Sequence, residues 1–456
     1  MKRYETYRAV QPLWNMEFPT HWEVFPLCSM AKEKSICNCT DLELLSVYLD
    51  AGVVPFSKRT EKRTNATSKD LSKYQRVDPS DFVLNNQQAW RGSVGVSKYT
   101  GITSPAYIIL SMNDQLTSEF ANYLFRSAIM VDQYRIRSKG VGSIQRNLYW
   151  QELKRVSVLV PPKEEQDQIV RYLDWQISRI NHLIHGYQKQ IKLLKERRQT
   201  IIDRATTQGI NENAAYKNSG VNWIDNIPEH WNMVYAKKLF AQRKDKAFPN
   251  DIQLTSSQKY GIISQEEFMK IEGRRLTVVM TGEDILKHVG IGDFVISMRS
   301  FQGGLEYSYV EGKISSAYVM LIPNKEKVYD EYFKWLLKSK PYIKALQGTS
   351  DLVRDGQALR YANFAKVYLP EIPLDEQKEI AEYIATEVAK IDNALPTFQK
   401  EIELLREYRT RLISDVVTGQ IDVRDVVIPE YIPEEDTEID TDDIGEDVEE
   451  VAEDAE

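Results

Sequence analysis

Cysteine is scarce in this chain of 456 residues, and histidine is hardly more abundant. Three cysteines (Cys28, Cys37 and Cys39) are too few for a disulfide framework, which indicates a reducing compartment. No second Cys/His pair lies at zinc-ligand spacing from Cys37 and Cys39, so we expect no bound metal. The sequence contains no apolar run of about 18 residues and no signal-peptide core at its start, MKRYETYRAV. We therefore expect a cytoplasmic protein without a membrane segment.

The sequence also lacks the common signatures of catalysis. It contains no GxxxxGK[ST] phosphate loop, no HExxH and no Asn/Asp-Pro-Pro-Tyr/Phe tetrapeptide of the adenine methyltransferases. No paired Glu-x-Lys signature of nucleases stands out. The five histidines are scattered, and His21 and His230 stand beside tryptophans, where structural roles are expected. We predict no catalytic residue and a protein that is not itself an enzyme.

Basic residues are absent from the last 28 positions. Residues 429–456 contain 15 Asp/Glu and no Lys/Arg, so the net charge of −8 for the whole chain corresponds to +7 for residues 1–428. Such a segment cannot bury enough apolar surface to offset its ordering entropy, and we expect an acidic disordered tail over residues 425–456. A mildly basic body is compatible with phosphate binding.

What the sequence does contain is an internal repeat. Residues 161–211 laid over 372–422 without a gap give 16 identities in 51 positions, against roughly three by chance at ordinary residue frequencies. Upstream, Trp14-x4-Pro19-x-His21-Trp22 recurs as Trp223-x4-Pro228-x-His230-Trp231, and Asp81-Phe-Val recurs as Asp293-Phe-Val. Each half is therefore a globular module followed by a conserved segment.

The two conserved segments are predicted to be long helices. Their apolar residues alternate in steps of three and four, from Leu173 to Ile201 and from Ile384 to Leu412, which is a heptad stripe. Prolines before the segments (Pro162 and Pro373) and glycines after them (Gly209 and Gly419) suit helix ends, and Pro396 should kink the second helix locally. A single apolar seam favours antiparallel pairing of the two helices; the alternative is that each packs on its own module.

These observations predict an α+β fold. Two globular mixed α/β domains stand in tandem repeat, separated by two long helices that form an antiparallel coiled coil. We place the first module at residues 1–160, the first helix at 161–210, the second module at 211–371 and the second helix at 372–424. The tail at 425–456 completes the chain.

Candidate DNA contacts cluster in basic, polar and aromatic loops of the modules. Asn, Gln and Arg can make paired hydrogen bonds to base edges, whereas Lys mostly contacts phosphate. Ordinary solvated surface charge is the alternative explanation for such loops. In the first module the candidates are Lys58, Arg59, Lys62, Arg63, Asn85, Gln88, Trp90, Arg91, Lys98, Tyr99, Arg137, Lys139 and Arg146. In the second they are Arg299, Ser300, Gln302, Lys313, Arg354, Gln357 and Arg360.

Several stretches together resemble one known family. EEQDQIVRYLD with LLKERRQTIID, and DEQKEIAEYI with LLREYRTRLISDVVTGQID, are similar to the two conserved spacer regions of type I restriction–modification specificity subunits. VNWIDNIPEHW and NQQAWRGSVGVSKYTGITSPAY resemble motifs of that family's target recognition domains. The resemblance covers residues 14–424. TTQGIN is a weakened version of VTGQID, and Gln88 stands where relatives often have Met.

The resemblance implies a role in host defence. Each target recognition domain would recognise one half of an asymmetric, bipartite site in double-stranded DNA, and the paired helices would fix the gap. Two methyltransferase subunits would dock on the helices, bind S-adenosylmethionine, flip out adenines and methylate N6. Restriction subunits, the ATP- and Mg²⁺-dependent motor and nuclease, would join them, and no cofactor would bind this chain directly. The alternatives are an orphan DNA-binding regulator and a coiled-coil scaffold that binds protein.

Overall fold

The computed structural model describes residues 2–10, 14–49, 51–58, 70–140, 146–273, 285–297, 300–349 and 360–433. The chain divides into two compact units. Unit 1 comprises residues 1–187 and 400–438, and unit 2 comprises residues 188–399 and 439–456. Each unit thus contains one module and a part of each long helix.

The first module is built mainly from short antiparallel strands. Its central sheet has four strands in the order β4-β11-β8-β9, and the pairs β1-β2, β3-β12, β5-β6 and β7-β10 surround it. The strands are β1 (Tyr7–Val10), β2 (Trp14–Pro19), β3 (Glu23–Pro26), β4 (Ala31–Glu33), β5 (Leu45–Tyr48), β6 (Gly52–Pro55), β7 (Gln75–Val77), β8 (Phe82–Asn85), β9 (Val94–Val96), β10 (Gly101–Thr103), β11 (Tyr107–Met112) and β12 (Ser157–Val160). The helices are α1 (Ser118–Arg126), α2 (Ala128–Arg137) and α3 (Trp150–Leu153), with 3-10 turns at Leu27–Ser29, Phe56–Lys58 and Ala89–Arg91.

The second module follows the same plan. Its four-stranded sheet has the order β16-β23-β20-β21, accompanied by the pairs β13-β14, β15-β24, β17-β18 and β19-β22. The strands are β13 (Tyr216–Val221), β14 (Ile224–Pro228), β15 (Asn232–Tyr235), β16 (Phe240–Gln242), β17 (Leu254–Ser257), β18 (Gly261–Ser264), β19 (Lys287–Val289), β20 (Phe294–Ile296), β21 (Glu306–Tyr307), β22 (Gly312–Ile314), β23 (Val319–Pro323) and β24 (Tyr368–Glu371). The helices are α5 (Gln265–Glu272), α6 (Ser300–Gly303), α7 (Asp330–Leu336), α8 (Lys340–Gln347) and α9 (Tyr361–Phe364), with a 3-10 turn at Ala236–Lys238.

A buried ion pair fixes the same corner of both sheets. Asp81, 4% exposed, accepts from the Lys34 Nζ at 2.5 Å, and Asp293, 1% exposed, accepts from the Arg243 Nε at 2.6 Å. These are the aspartates of the repeated Asp-Phe-Val, and their partners follow β4 and β16. A charge this deeply buried needs a partner, which explains why the repeat retains it. The predicted tandem α+β modules are confirmed.

Two long helices complete the fold. Helix α4 (Lys163–Gln208) and helix α10 (Leu374–Val417) each begin directly after a predicted proline, and α10 continues without a break through Pro396. Gly209 and Gly419 follow their ends with φ of +74° and +73°, the left-handed region that favours glycine. A Cβ at Gly419 would lie 2.4 Å from Pro19, so this close approach excludes any side chain.

Contacts within each unit show that the helices run antiparallel. In unit 1 the Arg409 guanidinium donates to the Asn181 side chain at 2.9 Å, and Gln168, a few turns earlier, contacts Val423 just beyond the end of α10. In unit 2 Arg198 donates to Asp392 at 2.9 Å. The repeat, with its offset of 211 residues, relates the first pair to the second, since Asn181 corresponds to Asp392 and Arg198 to Arg409. The predicted antiparallel pairing is confirmed.

The largest core cluster described lies where the second module meets the helices. In unit 2 a single buried cluster joins Ile202 of α4 and Ile384 of α10 to module residues such as Trp231, Phe240 and Phe333. At roughly 25 cal/mol per Å², burying such side chains contributes about 1.5–3 kcal/mol each. The helices are therefore parts of the module cores as well as partners of one another. None of the helices among the described residues is long and apolar enough to cross a membrane.

Candidate nucleic-acid interface

Glu165, in the first turn of α4, attaches the helix to the first module. Its carboxylate accepts from the Trp22 Nε1 at 3.1 Å and lies 2.8 Å from the His21 Nε2, and the Tyr4 hydroxyl donates to it as well. Trp22 is fully buried. Burial, together with the hydrogen bond to Glu165, raises the pKa of Tyr4 well above its usual range. The Pro-x-His-Trp motif therefore supplies donors for a helix carboxylate.

Glu376 repeats this arrangement at the start of α10. It accepts from the Trp231 Nε1 at 3.0 Å and lies 2.8 Å from the His230 Nε2. The structural roles predicted for His21 and His230 agree with these contacts. We call the two arrangements the carboxylate clasps.

The next residue in each helix completes the attachment through the backbone. Gln166 accepts from the Thr117 N at 2.8 Å and donates to the Pro161 and Gln115 carbonyls. Its counterpart Gln377 accepts from the Tyr329 N at 2.8 Å and donates to the Lys327 and Ile372 carbonyls. The Glu-Gln pair that opens each conserved segment thus orients a module on its helix, and offers no chemistry of its own.

A turn between β8 and β9 carries the first candidate surface. Gly92, with φ of +105°, lets the chain reverse after the 3-10 turn. Trp90 lies on this turn, held by a hydrogen bond of 3.0 Å from its Nε1 to the Gln87 carbonyl. The Arg91 and Arg146 guanidinium carbons lie 4.7 and 5.5 Å from the Trp90 ring centre. An indole between two cations can contact both phosphate and base, and we call these three residues the Trp90 cluster.

Four other predicted DNA contacts of the first module fall into two groups, one on this turn and one formed by a lysine and a tyrosine. Asn85 and Gln88 belong to the same turn, because the Gln88 N donates to the Asn85 carbonyl at 3.0 Å. Lys58 places its Nζ 5.3 Å from the Tyr99 ring, and Lys98 is exposed. The structure therefore brings Lys58 together with Tyr99, and Asn85 and Gln88 together with Trp90.

Two predicted DNA contacts of the first module are less available to bind DNA, one because it is paired and the other because it is partly buried. Lys139 forms an ion pair of 2.6 Å with Glu152 at the surface, where solvent screens the interaction strongly. Arg137 is half-buried, one terminal nitrogen is buried without a protein partner among the described residues, and burial lowers its pKa. Lys139 can exchange its partner for phosphate at small cost, whereas Arg137 would have to move.

The second module places its predicted contacts unevenly. Ser300 is 0% exposed and its Oγ accepts from the Ser297 N at 2.9 Å, so it caps a turn and offers no hydroxyl at the surface. Gln302, two residues later, is exposed, as is Arg360 at the start of α9. Lys313 is partly exposed on β22, where its N donates to the Ile252 carbonyl.

One surface cluster escaped the sequence analysis. The Lys334 Nζ lies 5.0 and 4.8 Å from the Tyr307 and Tyr309 ring centres, and it also pairs with Glu331 at 2.5 Å. Burial alone would lower the pKa of Lys334, but the hydrogen bonds to Glu331 and Tyr309 raise it. Tyr309 is 61% exposed. The alternating tyrosines of LEYSYVEG were the available signal, but nothing local placed a lysine beside them. We call these residues the Tyr309 cluster: Tyr307, Tyr309 and Lys334.

Six predicted contacts fall outside the described residues and stay predictions from sequence. They are Arg59, Lys62, Arg63, Arg299, Arg354 and Gln357. Within the described part of the chain, no group of three or more His, Cys, Asp or Glu side chains is arranged to hold a metal ion.

Comparisons with known proteins agree with one another. The family model of the type I restriction modification DNA specificity domain matches residues 19–193. The MjaVIII specificity subunit of a type I restriction enzyme from Methanocaldococcus jannaschii is 24% identical over 376 residues, covering 78% of this chain and 84% of that protein. A putative type I restriction enzyme MjaX specificity subunit from the same organism is 25% identical over 369 residues, covering 78% and 81%. Residues 19–193 thus match a type I restriction modification DNA specificity domain, and the chain is similar over most of its length to type I specificity subunits.

A solved structure supports the fold of the chain. A chain from a type I R-M system, studied for its complex assembly and conformational transition, superposes with a TM-score of 0.64. It is 13% identical and covers 89% of this chain and 100% of its own length.

Proposed function

We propose that the two modules of this specificity subunit recognise the two halves of one asymmetric, bipartite DNA site. The observation that carries the proposal is a contrast inside the repeat. The Trp–Glu and His–Glu contacts of the clasps and the sheet orders recur in both modules, whereas the cation–aromatic clusters differ. Two copies of one frame with different contact surfaces suit two different half-sites.

The proposed contacts combine base recognition with phosphate binding. In the first module the Trp90 cluster, Asn85 and Gln88 would contact base edges, with Lys58, Lys98 and Tyr99 beside them. In the second module the Tyr309 cluster, Gln302, Lys313 and Arg360 would do so. The net charge of +7 over residues 1–428 supports binding to a polyanion, and its contribution should weaken steeply with salt.

The helices are proposed to set the distance between the half-sites. Helix α4 has 46 residues and α10 has 44, so each is roughly 66–69 Å long at about 1.5 Å per residue. One turn of DNA is roughly 34–36 Å, so the helices are long enough to separate two half-sites by such a distance. Removing seven residues from each helix would shorten them by roughly 10 Å, or about three base pairs.

Partners would supply the chemistry. We propose that two methyltransferase subunits, which bind S-adenosylmethionine, dock on the helix pair and methylate adenine N6 in each half-site. Restriction subunits that use ATP and Mg²⁺ would join the same complex. The chain itself would bind DNA and its partners and no cofactor.

The test is a genome-wide map of N6-methyladenine in cells that co-express this chain with its methyltransferase subunit. The expected result is one bipartite motif with a methylated adenine on each strand, in different half-sites. In a variant shortened by seven residues in each helix, both half-sites should persist and only the gap should change. A complex that assembles but leaves DNA unmethylated would reject the proposal, and the chain would then be an orphan regulator or a protein scaffold.

A further inference from the structure

A pocket of the first module is built from the same two chain segments as the Trp90 cluster. Asn86, on the turn after β8, lines the pocket, and its carbonyl accepts from the Leu148 N at 2.9 Å. That hydrogen bond joins the turn that carries Trp90 to the segment that runs from Arg146 into α3. The pocket therefore lies next to the surface that is proposed to contact DNA.

Aromatic side chains form much of the pocket wall. They are Tyr107, Tyr149 and Trp150. Tyr149, directly before α3, is 50% exposed, so its ring is not committed to the core. The pocket has a volume of about 420 Å³, within the range of roughly 300–1,000 Å³ that is typical of small-molecule sites. Flat aromatic molecules such as nucleobases stack on rings of this kind.

The polar groups on the wall suit a nucleobase with a phosphate attached. The Gln75 Nε2 donates to the Tyr107 carbonyl at 2.9 Å, which fixes the amide and leaves its Oε1 as an acceptor for a base N–H. Lys73, which is exposed, can pair with phosphate. Lys34 also lines the pocket, but its Nζ is engaged by the buried Asp81 at 2.5 Å.

The second module has different residues at the equivalent place. Tyr149 stands directly before α3, and Arg360 stands directly before α9. Tyr361 follows where the first module has Trp150, and its hydroxyl donates to the Phe240 carbonyl at 3.2 Å. An exposed aromatic ring before the helix therefore distinguishes the first module from the second.

We propose that this pocket binds a nucleobase that has left the DNA stack beside the Trp90 cluster, with its phosphate on Lys73. The rings replace the stacking that the base loses, and Gln75 pairs with its edge. Because stacking on aromatic rings tolerates any base, the pocket lowers the cost of opening the duplex and does not choose a sequence. The inference rests on the proposed binding of DNA by the first module, and not on methylation or on a bipartite site.

A native thiol reports whether the pocket is occupied. Cys37 is exposed and lines the pocket, whereas Cys28, also exposed, lies on the 3-10 turn after β3. In the full chain, millimolar thymidine 5′-monophosphate should slow alkylation of Cys37 by iodoacetamide by about fivefold or more and leave the Cys28 rate unchanged. Mass spectrometry measures both rates in one sample. Equal protection by inorganic phosphate, or no protection by the nucleotide, would overturn the proposal.

Substitutions at one position separate stacking from other roles of the residue. Tyr149→Ala should raise the nucleotide concentration for half-maximal protection of Cys37 by about fivefold or more, whereas Tyr149→Phe keeps the ring and the parent value. The matched control is Tyr408→Ala, which removes a 43% exposed tyrosine of α10 and should also keep the parent value. Equal weakening in Tyr149→Ala and Tyr149→Phe would reject stacking.

The phosphate contact has its own variant. Lys73→Ala should weaken protection by thymidine 5′-monophosphate and leave protection by thymidine unchanged, because only the nucleotide carries the charge. Equal weakening for both molecules would contradict the contact.

Two duplexes test whether DNA supplies the base. At low salt, a duplex with one unpaired thymine should protect Cys37 at a concentration about tenfold lower than the same duplex fully paired, because its base is already unstacked. Equal protection by both duplexes would mean that bound DNA merely covers the thiol, and protection by the mononucleotide alone would exclude DNA as the source. Either result would overturn the proposal. Since the assay contains no methyltransferase, its failure and that of the N6-methyladenine map are distinguishable.

Discussion

The two modules have the same sheet order, but they carry different residues at one equivalent buried position as well as at the surface. Strand β9 places Gly95 opposite Val83, and strand β21 places Glu306 opposite Val295, which are equivalent positions in the repeat. A Cβ at Gly95 would lie 3.1 Å from the Gly52 Cα and the Val53 N, so a side chain there would press against the backbone of β6. The second module holds a carboxyl at the same place.

The buried carboxyl has an electrostatic cost that the glycine does not have. Glu306 is 3% exposed, its Oε2 pairs with the Lys338 Nζ at 2.6 Å, and its Oε1 has no partner among the described residues. Burial raises the pKa of Glu306 to about 7, although Lys338 opposes the shift. Comparing the modules therefore separates two classes of residue. Contacts present in both hold the frame, and contacts present in one are where the modules have diverged.

Exchange of a whole module should have the largest effect. Replacing residues 227–365 with the corresponding segment of another specificity subunit should replace one half of the methylated motif completely and leave the other half unchanged. The reason is that the frame contacts are retained while one surface is replaced. Sequencing of N6-methyladenine sites reads the outcome, and a change in both halves would contradict independent recognition.

Removal of the clasp carboxylates should be the next largest effect, and it should be unequal. Glu165→Ala leaves Trp22, His21 and Tyr4 without an acceptor, whereas Glu376→Ala affects only Trp231 and His230. We expect losses of about 2–4 kcal/mol and about 1–2 kcal/mol in local stability. Amide hydrogen exchange followed by mass spectrometry measures both modules in one chain.

Equal losses in the two clasp variants would show that the Tyr4 contact contributes nothing. The variant Tyr4→Phe is the matched control, since it removes only the hydroxyl that distinguishes the first clasp from the second.

The buried acid should make the second module sensitive to pH. Because the folded pKa of about 7 exceeds the ordinary value of 4.5, the protonated form stabilises the fold, and this stability is lost as pH rises from about 4.5 through 7. Glu306→Gln should remove that loss, making the chain about 1–3 kcal/mol more stable than the parent at pH 8 and no more stable below pH 4.5. Denaturant unfolding at several pH values measures it.

The exposed Glu382 serves as the control, because Glu382→Gln should leave the pH dependence of stability as it is in the parent. A Glu306→Gln chain that keeps the parent's pH dependence would remove Glu306 as its source.

Truncation of the surface aromatics should give the smallest effects, each confined to one half-site. Trp90→Ala and Tyr309→Ala should each weaken binding by about 1–2 kcal/mol, because the neighbouring cations lose the ring that positions them. Methylation rates on duplexes altered in one half-site at a time assign each residue to its half. If both variants affected the same half-site, the assignment of one half to each module would be wrong.

Local sequence signals predicted the elements well. The heptad stripe, Pro162 and Pro373, and Gly209 and Gly419 marked both helices to within a few residues, because helix ends depend on neighbours in sequence. The repeated Asp-Phe-Val motifs at 81–83 and 293–295 mark the starts of the equivalent strands β8 and β20.

Local sequence signals could not predict which distant strands and side chains pair with one another. The order β4-β11-β8-β9 depends on contacts between strands up to about 80 residues apart, which periodicity does not encode. The candidate surfaces show the same division. Trp90 and Arg91 are neighbours in sequence and were predicted together, whereas Lys334 meets Tyr309 only through the fold. Ser300 was predicted as a contact from its polarity, but the burial that makes it a cap is a tertiary property.

The structure describes the first part of the segment that the sequence analysis assigned to the acidic tail. That tail was expected from residue 425 onward, yet residues 425–433 lie against α4 and hydrogen-bond to it. Its composition changes later than the boundary suggested, since the dense acidic run begins at Glu434. Residues 434–456 lie outside the described part of the chain.

The equivalence of the two helix contacts has a consequence for the order of the modules. Asn181 with Arg409 and Asp392 with Arg198 exchange places when each residue is replaced by its counterpart in the repeat. A chain that carried the second module first would therefore form the same contacts with the roles of the helices inverted. Because a DNA duplex can be read from either strand, the recognition mode proposed above predicts the same site for that inverted chain. On that proposal, the pair of modules and not their order determines the sequence recognised.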